Sequence, residues 1–308
     1  MASRVFLTGG SGFVGSHILR ELASHRHRVI PLLRTGSPFP PEAVECVRGD
    51  LFDPASLDVG MRDFDAVIHL VGIIMEKRSK GITFERIHVE GTRAVVEAAK
   101  RNGVTRYIHM SALGTRANAV SRYHQTKWEA EQIVRQSGLA WTIFRPGLIH
   151  GPGGFMKMEA AWARKAAPPF VAMPYFGKGS LGLGGSGLLQ PVYVDDVARA
   201  FVEAIDRPQS IHKTYDLAGP DRLTWPQFHQ AAARELVGRR RLTAPLPAWW
   251  AKLLASAGLG PMLGFNRDQV IMSQEDNVGE PTPFETDFGW KLRPFRDTLR
   301  EYAPQLRQ

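Results

Sequence analysis

Apolar runs alternate with amphipathic stretches along the first half of this 308-residue chain. The apolar runs predict strands, and the stretches between them predict helices, because a helix repeats apolar residues every three or four positions. Six strands are predicted, beginning near Arg4 and then at Arg28–Leu33, Val44–Val47, Ala66–Val71, Tyr107–Met110 and Ala140–Arg145. Strand and helix in succession are typical of βαβ units, so we predict an α/β protein with a doubly wound parallel sheet.

This alternation ends after Pro146. Residues 151–189 are rich in glycine, proline, methionine and aromatic residues, which predicts irregular walls or a mobile cover over a pocket. The run at 191–196 predicts a return to the sheet and then a capped helix to Ile205. We therefore expect a large sheet domain from 1–150 plus about 190–218, and a smaller, mostly helical lobe for a substrate or partner from about 151–189 plus 219–308.

The first strand leads directly into a glycine-rich turn and then into an amphipathic helix. The turn reads Gly9-Gly10-Ser11-Gly12-Phe13-Val14-Gly15. Its first glycines permit a tight turn, Gly12 lets the backbone approach a phosphate, and Gly15 lets the helix pack against the strand. Free N–H groups at the start of a helix attract an anion. The sequence therefore predicts a Rossmann-type dinucleotide site in which the residues from Gly9 to Gly15 bind the pyrophosphate.

Composition narrows the class of protein. Hydrophobic residues make up 44% of the chain and charged residues 22%, and no apolar run is long enough to span a bilayer. The lone Cys46 excludes a disulfide within the chain and favours a cytoplasmic protein, and with a strand near Arg4 we expect no signal peptide. The net charge of +9 suits an anionic cofactor, an acidic membrane surface or nucleic acid. Nucleic acid is disfavoured, since the basic runs at 77–80 and 239–241 are short and lack interleaved aromatic residues.

Tyr123 and Lys127 lie four residues apart on the helix predicted at 121–136, so they share one face. An ammonium so placed stabilises the phenolate, and we expect it to lower the pKa of Tyr123 toward the range used in proton transfer. No histidine pair has metal-ligand spacing and no Gly-x-Ser-x-Gly turn is present, so we predict no metal. His17, His69 and His109 lie in or beside core elements and are expected to be packed, hydrogen-bonded residues.

These motifs together resemble the short-chain dehydrogenase/reductase superfamily in its extended or atypical branch. The resemblance implies that Tyr123 is the acid/base, Lys127 its electrostatic and ribose-binding partner, and Ser111 a hydroxyl that polarises a carbonyl. Shifting the alignment by one residue places Ala112 at the hydroxyl position, and His88 stands where that branch commonly has asparagine. The resemblance also implies cofactor contacts at Asp50, Leu51, Val71, Gly72 and Pro146.

The end of the second strand bears on the choice of cofactor. Enzymes of this class that prefer NAD carry an acidic residue there, whereas the 2′-phosphate of NADP needs a cation. This chain has Arg34 at that point and no acid before Glu42. The sequence therefore favours NADP(H) over NAD(H).

Several further segments are similar to the branch that contains the NAD(P)H-binding accessory subunit of respiratory complex I and its free-standing bacterial relatives. They include 70–73, 88–92, 108–114, 190–197, 267–270 and 276–278. In that subunit the nucleotide is structural, so one alternative to an oxidoreductase acting on a carbonyl or alcohol is a non-catalytic NADPH-binding accessory or assembly protein. A second alternative is a nucleotide-sugar epimerase or dehydratase, which uses the same tyrosine and lysine.

Partners are suggested by residues 247–257, which predict a short helix that is apolar on most sides. Burial in the second lobe is the simple explanation. Trp249 and Trp250, close to the arginines at 239–241, would also suit a membrane interface or a partner protein. For the substrate, we expect a small molecule that binds in an apolar environment.

Overall fold

The computed structural model describes residues 2–260 and 265–307. Two compact units form within it. The first contains Met1–Pro146, Val194–Asp216 and Thr282–Trp290, and the second contains Gly147–Tyr193, Leu217–Pro281 and Lys291–Gln308.

A seven-stranded sheet forms the centre of the first unit. Its strands are β1 (Arg4–Thr8), β2 (Arg28–Leu33), β3 (Val47–Arg48), β4 (Ala66–His69), β5 (Arg106–Met110), β6 (Ala140–Pro146) and β11 (Lys213–Leu217). Their order across the sheet is β11-β6-β5-β4-β1-β2-β3, and the pairs from β3 to β6 are parallel. The order reverses at β1, so the predicted doubly wound α/β fold is confirmed.

Helices accompany this sheet. They are α1 (Phe13–Ser24), α2 (Pro54–Met61), α3 (Gly91–Arg101), α4 (Arg122–Arg135), α6 (Val194–Glu203) and α10 (Thr282–Phe288). A π-helical segment, Glu85–Glu90, leads directly into α3. Asp53 caps α2 by accepting hydrogen bonds from Ala55 N and Ser56 N.

The core of this unit is built from the apolar faces of the strands and helices. Phe6, Val67 and Ile143 are fully buried in one cluster with residues of α2 and α3. At the other side of the sheet, the Phe144 ring packs against Phe201 and Tyr215 at centroid separations of 4.8 and 5.8 Å. The continuous apolar runs in the sequence reflect strands that are covered on both faces.

In its described part, the second unit combines five helices with three two-stranded sheets. The helices are α5 (Phe155–Ala163), α7 (Trp225–Val237), α8 (Ala248–Ser256), α9 (Arg267–Met272) and α11 (Phe295–Leu306). The sheets pair β7 (Ile149–His150) with β10 (Val192–Tyr193), β8 (Met173–Gly177) with β13 (Thr243–Pro247), and β9 (Leu188–Leu189) with β12 (Leu223–Thr224). None of the described helices in either unit is long and apolar enough to cross a membrane.

Three local predictions differ from the structure. The run at 191–196 does not rejoin the central sheet, because Val192 and Tyr193 pair with β7; the strand that joins it is β11. The third strand begins at Val47 rather than Val44, which is 97% exposed. Residues 151–189 are not irregular throughout, since α5 buries Met156, Ala160 and Ala163 at helical spacing and β8 pairs with a strand that is distant in sequence.

The sequence-based division also places all of 219–308 in the second lobe, whereas Thr282–Trp290 belongs to the first unit. The reason is aromatic packing. Phe284 and Phe288 lie 6.4 and 5.9 Å from Phe144, measured between ring centroids, and Asp287 accepts a hydrogen bond from Tyr215 at 2.6 Å.

Candidate active site

The glycine-rich turn joins β1 to α1 with contacts that leave no room for side chains. Gly9 has a φ of +83°, and a Cβ there would lie 3.3 Å from Val71 N. A Cβ on Gly15 would lie only 2.2 Å from Gly9 O, and Gly12 N donates to that same oxygen at 3.0 Å. The turn therefore brings α1 close to β1 and places both beside the end of β4.

The first turn of α1 faces outward at this turn. Gly12 caps the helix with extended backbone and provides no side-chain cap. Ser11 and Gly12 are exposed, and Phe13 and Val14 are half-buried. An accessible helix start next to backbone that only glycine permits fits the pyrophosphate of a nicotinamide dinucleotide. Gly10 packs against the sheet instead, since a Cβ there would lie 3.1 Å from the Pro31 Cβ.

Arg34 follows β2, the strand beside β1, and its side chain is exposed. Its guanidinium makes no ion pair with any residue between 2–260 or 265–307. A second cation, Arg48 on β3, donates through Nη1 to the carbonyls of Arg34 and Ser37. Sequence reasoning missed Arg48, although its position directly after an apolar strand residue, Val47, is a usable signal. The two arginines place positive charge at the loop after β2.

Asp50 and Leu51, the two expected cofactor contacts after β3, have different surroundings. Asp50 is exposed, and its Oδ1 accepts a hydrogen bond from Phe52 N at 2.9 Å. Leu51 is 8% exposed and packs against Gly91, where a Cβ would lie 2.6 Å from Leu51 Cδ2. Asp50 is therefore open to a ligand, whereas most of Leu51 belongs to the core.

Lys127, in the middle of α4, contacts the backbone at the ends of β4 and β5. Its Nζ donates to Met110 O, at the end of β5, at 2.9 Å. A Cβ on Gly72, just beyond β4, would lie 3.1 Å from the same Nζ. Half-buried Val71 contacts the glycine turn, so the turn, Gly72 and the α4 lysine form one continuous region. Pro146, the last residue of β6, is buried, and its carbonyl accepts from Leu113 N.

Burial shifts the pKa of both members of the Tyr123 and Lys127 pair. The Tyr123 ring lies edge-on to Phe84 and His88, with centroid separations of 5.8 and 5.4 Å, and burial raises the pKa of Tyr123 to about 12. Burial also lowers the pKa of Lys127 to about 8, against the opposing attraction of the Glu131 carboxylate. The expected lowering of the Tyr123 pKa is therefore absent from the protein alone, because no hydrogen bond from a described residue stabilises the phenolate.

His88 holds the backbone after β4 against α4. With the proton on Nδ1, its Nε2 accepts from Ile73 N at 3.1 Å and its Nδ1 donates to Thr126 Oγ1 at 2.9 Å. The Thr126 hydroxyl in turn donates to the carbonyls of Arg122 and Tyr123. Burial lowers the pKa of His88 to about 2, so the ring is neutral. The π-helical segment carries His88, which fits the frequent use of π-turns at functional sites.

The Ser111 hydroxyl has a partner other than Tyr123. Its hydroxyl is buried and donates to Thr115 Oγ1 at 3.3 Å, and within the described chain it makes no hydrogen bond to Tyr123. Ala112 is half-buried and has no hydroxyl to offer. The structure thus brings Tyr123 and Lys127 onto one helix face but leaves the third member of the implied set bonded elsewhere.

Buried histidines lie beneath this region. Thr8 and Thr92 hydroxyls contact the two ring nitrogens of His69 at 2.7 and 3.3 Å. His109 stacks on His69 with ring centroids 5.5 Å apart, yet neither of its ring nitrogens has a hydrogen-bond partner among the described residues. His17 contacts Asp195. No group of side chains able to hold a metal is present among the described residues. The expected hydrogen bonds therefore form at His17 and His69 but not at His109.

Comparisons with known proteins agree with this geometry. Residues 5–218 match the model of the NAD dependent epimerase/dehydratase family. The chain is 30% identical to a ceramide reductase of Caulobacter vibrioides over 241 residues, covering 77% of this chain and 72% of that protein. It is 29% identical to the mouse mitochondrial NADH dehydrogenase (ubiquinone) 1 alpha subcomplex subunit 9 over 312 residues, covering 90% of this chain and 76% of that protein. The fold matches the UDP-glucose 4-epimerase of Thermus thermophilus, solved with NAD, with a TM-score of 0.77, 22% identity and 99% of both chains covered.

Proposed function

This chain belongs to the NAD-dependent epimerase/dehydratase family, and we propose that it is an NADPH-dependent oxidoreductase that interconverts a carbonyl and an alcohol. The observation that carries this proposal is the buried ammonium of Lys127, which lies beside Gly72 and one helical turn from the Tyr123 phenol. A protein that only stores a nucleotide can use the ammonium to bind a ribose, but it has no need for a phenol on the same helix face.

Tyr123 is the proposed proton donor and acceptor. A bound nicotinamide cofactor supplies or takes up the hydride at the substrate carbon. In the reducing direction the Tyr123 hydroxyl gives its proton to the substrate oxygen, which becomes the alcohol; in the oxidising direction the phenolate takes that proton back. The positive charge of Lys127 lowers the free energy of the phenolate.

A raised pKa of Tyr123 in the protein alone is consistent with this role. Burial favours the neutral phenol and raises the pKa to about 12, so Tyr123 holds its proton until a partner is bound. A substrate carbonyl oxygen accepts a hydrogen bond from the neutral hydroxyl, and the alkoxide that develops from this oxygen is basic enough to take the proton. The phenol is thus a stronger donor to a developing alkoxide than to water.

Arg34 and Arg48 support the preference for NADPH. Arg34 follows β2, where an NAD-preferring site carries an acid, and Arg48 ends the neighbouring strand β3. Arg48 bonds to the carbonyls of Arg34 and Ser37 and so fixes the loop, while the Arg34 guanidinium, which has no ion pair within the described chain, remains available to a phosphate. Bidentate guanidinium contacts suit this ligand.

The accessory role remains the second candidate. The hydroxyl of Ser111 is bonded to Thr115, and the Tyr123 hydroxyl has no hydrogen-bond partner in the part of the chain that the structure describes. A subunit of NADH dehydrogenase is also among the relatives. Similarity to a ceramide reductase supports the catalytic alternative, with an apolar carbonyl compound as the substrate class. A nucleotide-sugar epimerase would use NAD, which Arg34 disfavours.

Nucleotide release and turnover distinguish these functions. The purified protein is denatured, the released nucleotide is identified by chromatography, and the intact holoprotein is then offered long-chain ketones, quinones and UDP-sugars. We expect NADPH, consumed with a ketone and regenerated with the corresponding alcohol. Bound NADPH that no substrate oxidises would favour the accessory role, and bound NAD with sugar epimerisation would overturn the proposal.

A further inference from the structure

Helix α8 has its large apolar side chains on the outside. Ala248 and Ala251 are buried and pack with Val270, whereas Trp249, Trp250 and Leu253 are 54, 44 and 58% exposed. An ordinary amphipathic helix buries its largest apolar residues. Here the small residues make the internal contact, so two indoles and a leucine of α8 are exposed.

A neighbouring loop extends the same apolar surface. Trp249 Nε1 donates to Ser180 O at 2.9 Å, and a Cβ on Gly182 would lie 3.2 Å from the Pro245 Cβ. The residues on either side of Gly182, Leu181 and Leu183, are therefore held near α8, and each is more than 70% exposed. We define the tryptophan patch as five residues of this surface: Leu181, Leu183, Trp249, Trp250 and Leu253.

The two segments that carry the tryptophan patch are basic, while α9, which packs against α8 through Val270, adds Asp268. The segments 160–194 and 236–267, which supply β8, β13 and α8, contain no Asp or Glu and eight Lys or Arg residues. Lys178 lies in the loop before the leucines, and Lys252 lies between Trp250 and Leu253. Neither lysine forms an ion pair with any residue that the structure describes. The patch thus combines apolar groups with unneutralised positive charge.

Exposed apolar residues are concentrated in the same two segments. Among the described residues, fifteen large hydrophobic side chains are exposed, and nine of them come from 160–194 and 236–267. They are Phe170, Val171, Leu181, Leu183, Leu242, Trp249, Trp250, Leu253 and Leu259. Single exposed apolar residues are ordinary, but the five of the tryptophan patch lie on a loop and a helix that contact each other, which is typical of an interaction surface.

We propose that the tryptophan patch binds the surface of an anionic phospholipid bilayer. Indole rings favour the depth of the lipid headgroups, where the ring is in an apolar layer and the N–H remains polar. Leu181, Leu183 and Leu253 enter the boundary with the acyl chains, and Lys178 and Lys252 face lipid phosphates. The basic charge of the two segments that carry the patch complements such a surface.

Vesicle co-sedimentation tests this proposal with the full-length protein carrying its nucleotide. The probes are vesicles of phosphatidylcholine alone and of phosphatidylcholine mixed with phosphatidylglycerol. We expect binding to the mixed vesicles at low salt, and weaker binding at high salt or without phosphatidylglycerol. The W249S/W250S/L253S variant should lower the vesicle-bound to free ratio about tenfold or more. The K178E/K252E variant should abolish the preference for phosphatidylglycerol.

Matched controls separate a docking surface from general stickiness. The V44S/V59S variant removes two exposed apolar side chains of the first unit and should bind the mixed vesicles like the unchanged protein. Circular dichroism and retained NADPH binding show that each variant is folded. Absence of binding to either vesicle would overturn the proposal, as would equal losses in the control. A dimer that the W249S/W250S/L253S variant dissociates, without lipid binding, would assign the patch to a second copy of the chain instead.

Discussion

The ammonium of Lys127 donates a hydrogen bond to the carbonyl of Met110 at 2.9 Å, from the middle of α4 to the last residue of β5. The contact holds a charged group in a buried position directly beside Gly72. Lys127 therefore stabilises the end of the sheet and places positive charge where the proposed reaction needs it. These two roles have separable signatures.

The first prediction concerns stability and pH in Lys127→Met. Burial lowers the folded pKa of Lys127 from 10.5 to about 8, so the unfolded chain binds more protons between these values. The free energy of unfolding of the natural protein should therefore rise with pH across this window, by about 3 kcal/mol in total from this group. Urea unfolding from pH 7.5 to pH 10 should show that Lys127→Met loses this rise, while Lys100→Met, an exposed lysine of α3, retains it.

A second prediction concerns proton transfer by Tyr123. Tyr123→Phe keeps the ring packed against Phe84 and His88 but removes the hydroxyl, so it should lower kcat by about 10²- to 10⁴-fold. NADPH affinity, measured by fluorescence titration, should stay unchanged. Tyr175→Phe, a half-buried tyrosine of the second unit, provides the control. Full activity of Tyr123→Phe would exclude the proposed acid/base.

Arg34→Glu tests the choice of cofactor. Removing a guanidinium that binds the 2′-phosphate should weaken NADPH binding by about tenfold to a hundredfold, with a much smaller effect on NADH. Calorimetric titration of both nucleotides measures the difference. Arg62→Glu, which makes the same charge change at another exposed position of the first unit, should leave the ratio of the two affinities intact. Equal losses of affinity for NADPH and NADH in Arg34→Glu would contradict the proposed preference for NADPH.

The buried histidines predict sensitivity to acid. Burial lowers the pKa of His109 well below its ordinary value of 6.5, and that of His69 to about 3. Below pH 6.5 the histidines of the unfolded chain bind protons, whereas these buried rings in the folded protein do not. The free energy of unfolding therefore decreases by about 1.4 kcal/mol per ring for each unit by which the pH is lowered.

His109→Leu isolates one of these rings. Because both of its nitrogens lack partners, the apolar replacement removes a proton-linked cost and leaves no broken hydrogen bond. Between pH 6.5 and pH 5, the variant should lose about 2 kcal/mol less stability than the unchanged protein, as measured by urea unfolding. His25→Leu, at an exposed position, should not reduce the loss; an unchanged acid profile in His109→Leu would contradict the prediction.

Local patterns were sufficient for β1, β2, β4, β5 and β6 and for the glycine turn, but not for the bounds of β3. Those elements have unbroken apolar periodicity and turn residues adjacent in sequence, and the first turn reads Gly9 to Gly15 without interruption. The edge strand β11 was not predicted, because its place beside β6 depends on pairing between segments about seventy residues apart. The same holds for β8, which pairs with β13.

At the candidate site, residue type predicted position better than it predicted contacts. The four-residue spacing placed Tyr123 and Lys127 on one helix face, and the apolar run before Arg34 placed it at a strand end. The bond from Ser111 to Thr115 and the pairing of His88 with Ile73 and Thr126 depend on three-dimensional packing. The sequence pattern does not determine which of several hydroxyls a buried serine will hydrogen-bond to.

The late return of Thr282–Trp290 to the first unit has a consequence for synthesis of the protein. Phe284 and Phe288 complete the aromatic core around Phe144, so this part of the core cannot close until residue 290 has left the ribosome. At a synthesis rate of about 5–20 residues per second, α10 emerges several seconds or more after β6. During this time Phe144 of the nascent sheet is incompletely covered. A fragment ended after β11 would carry the same exposed aromatic surface permanently.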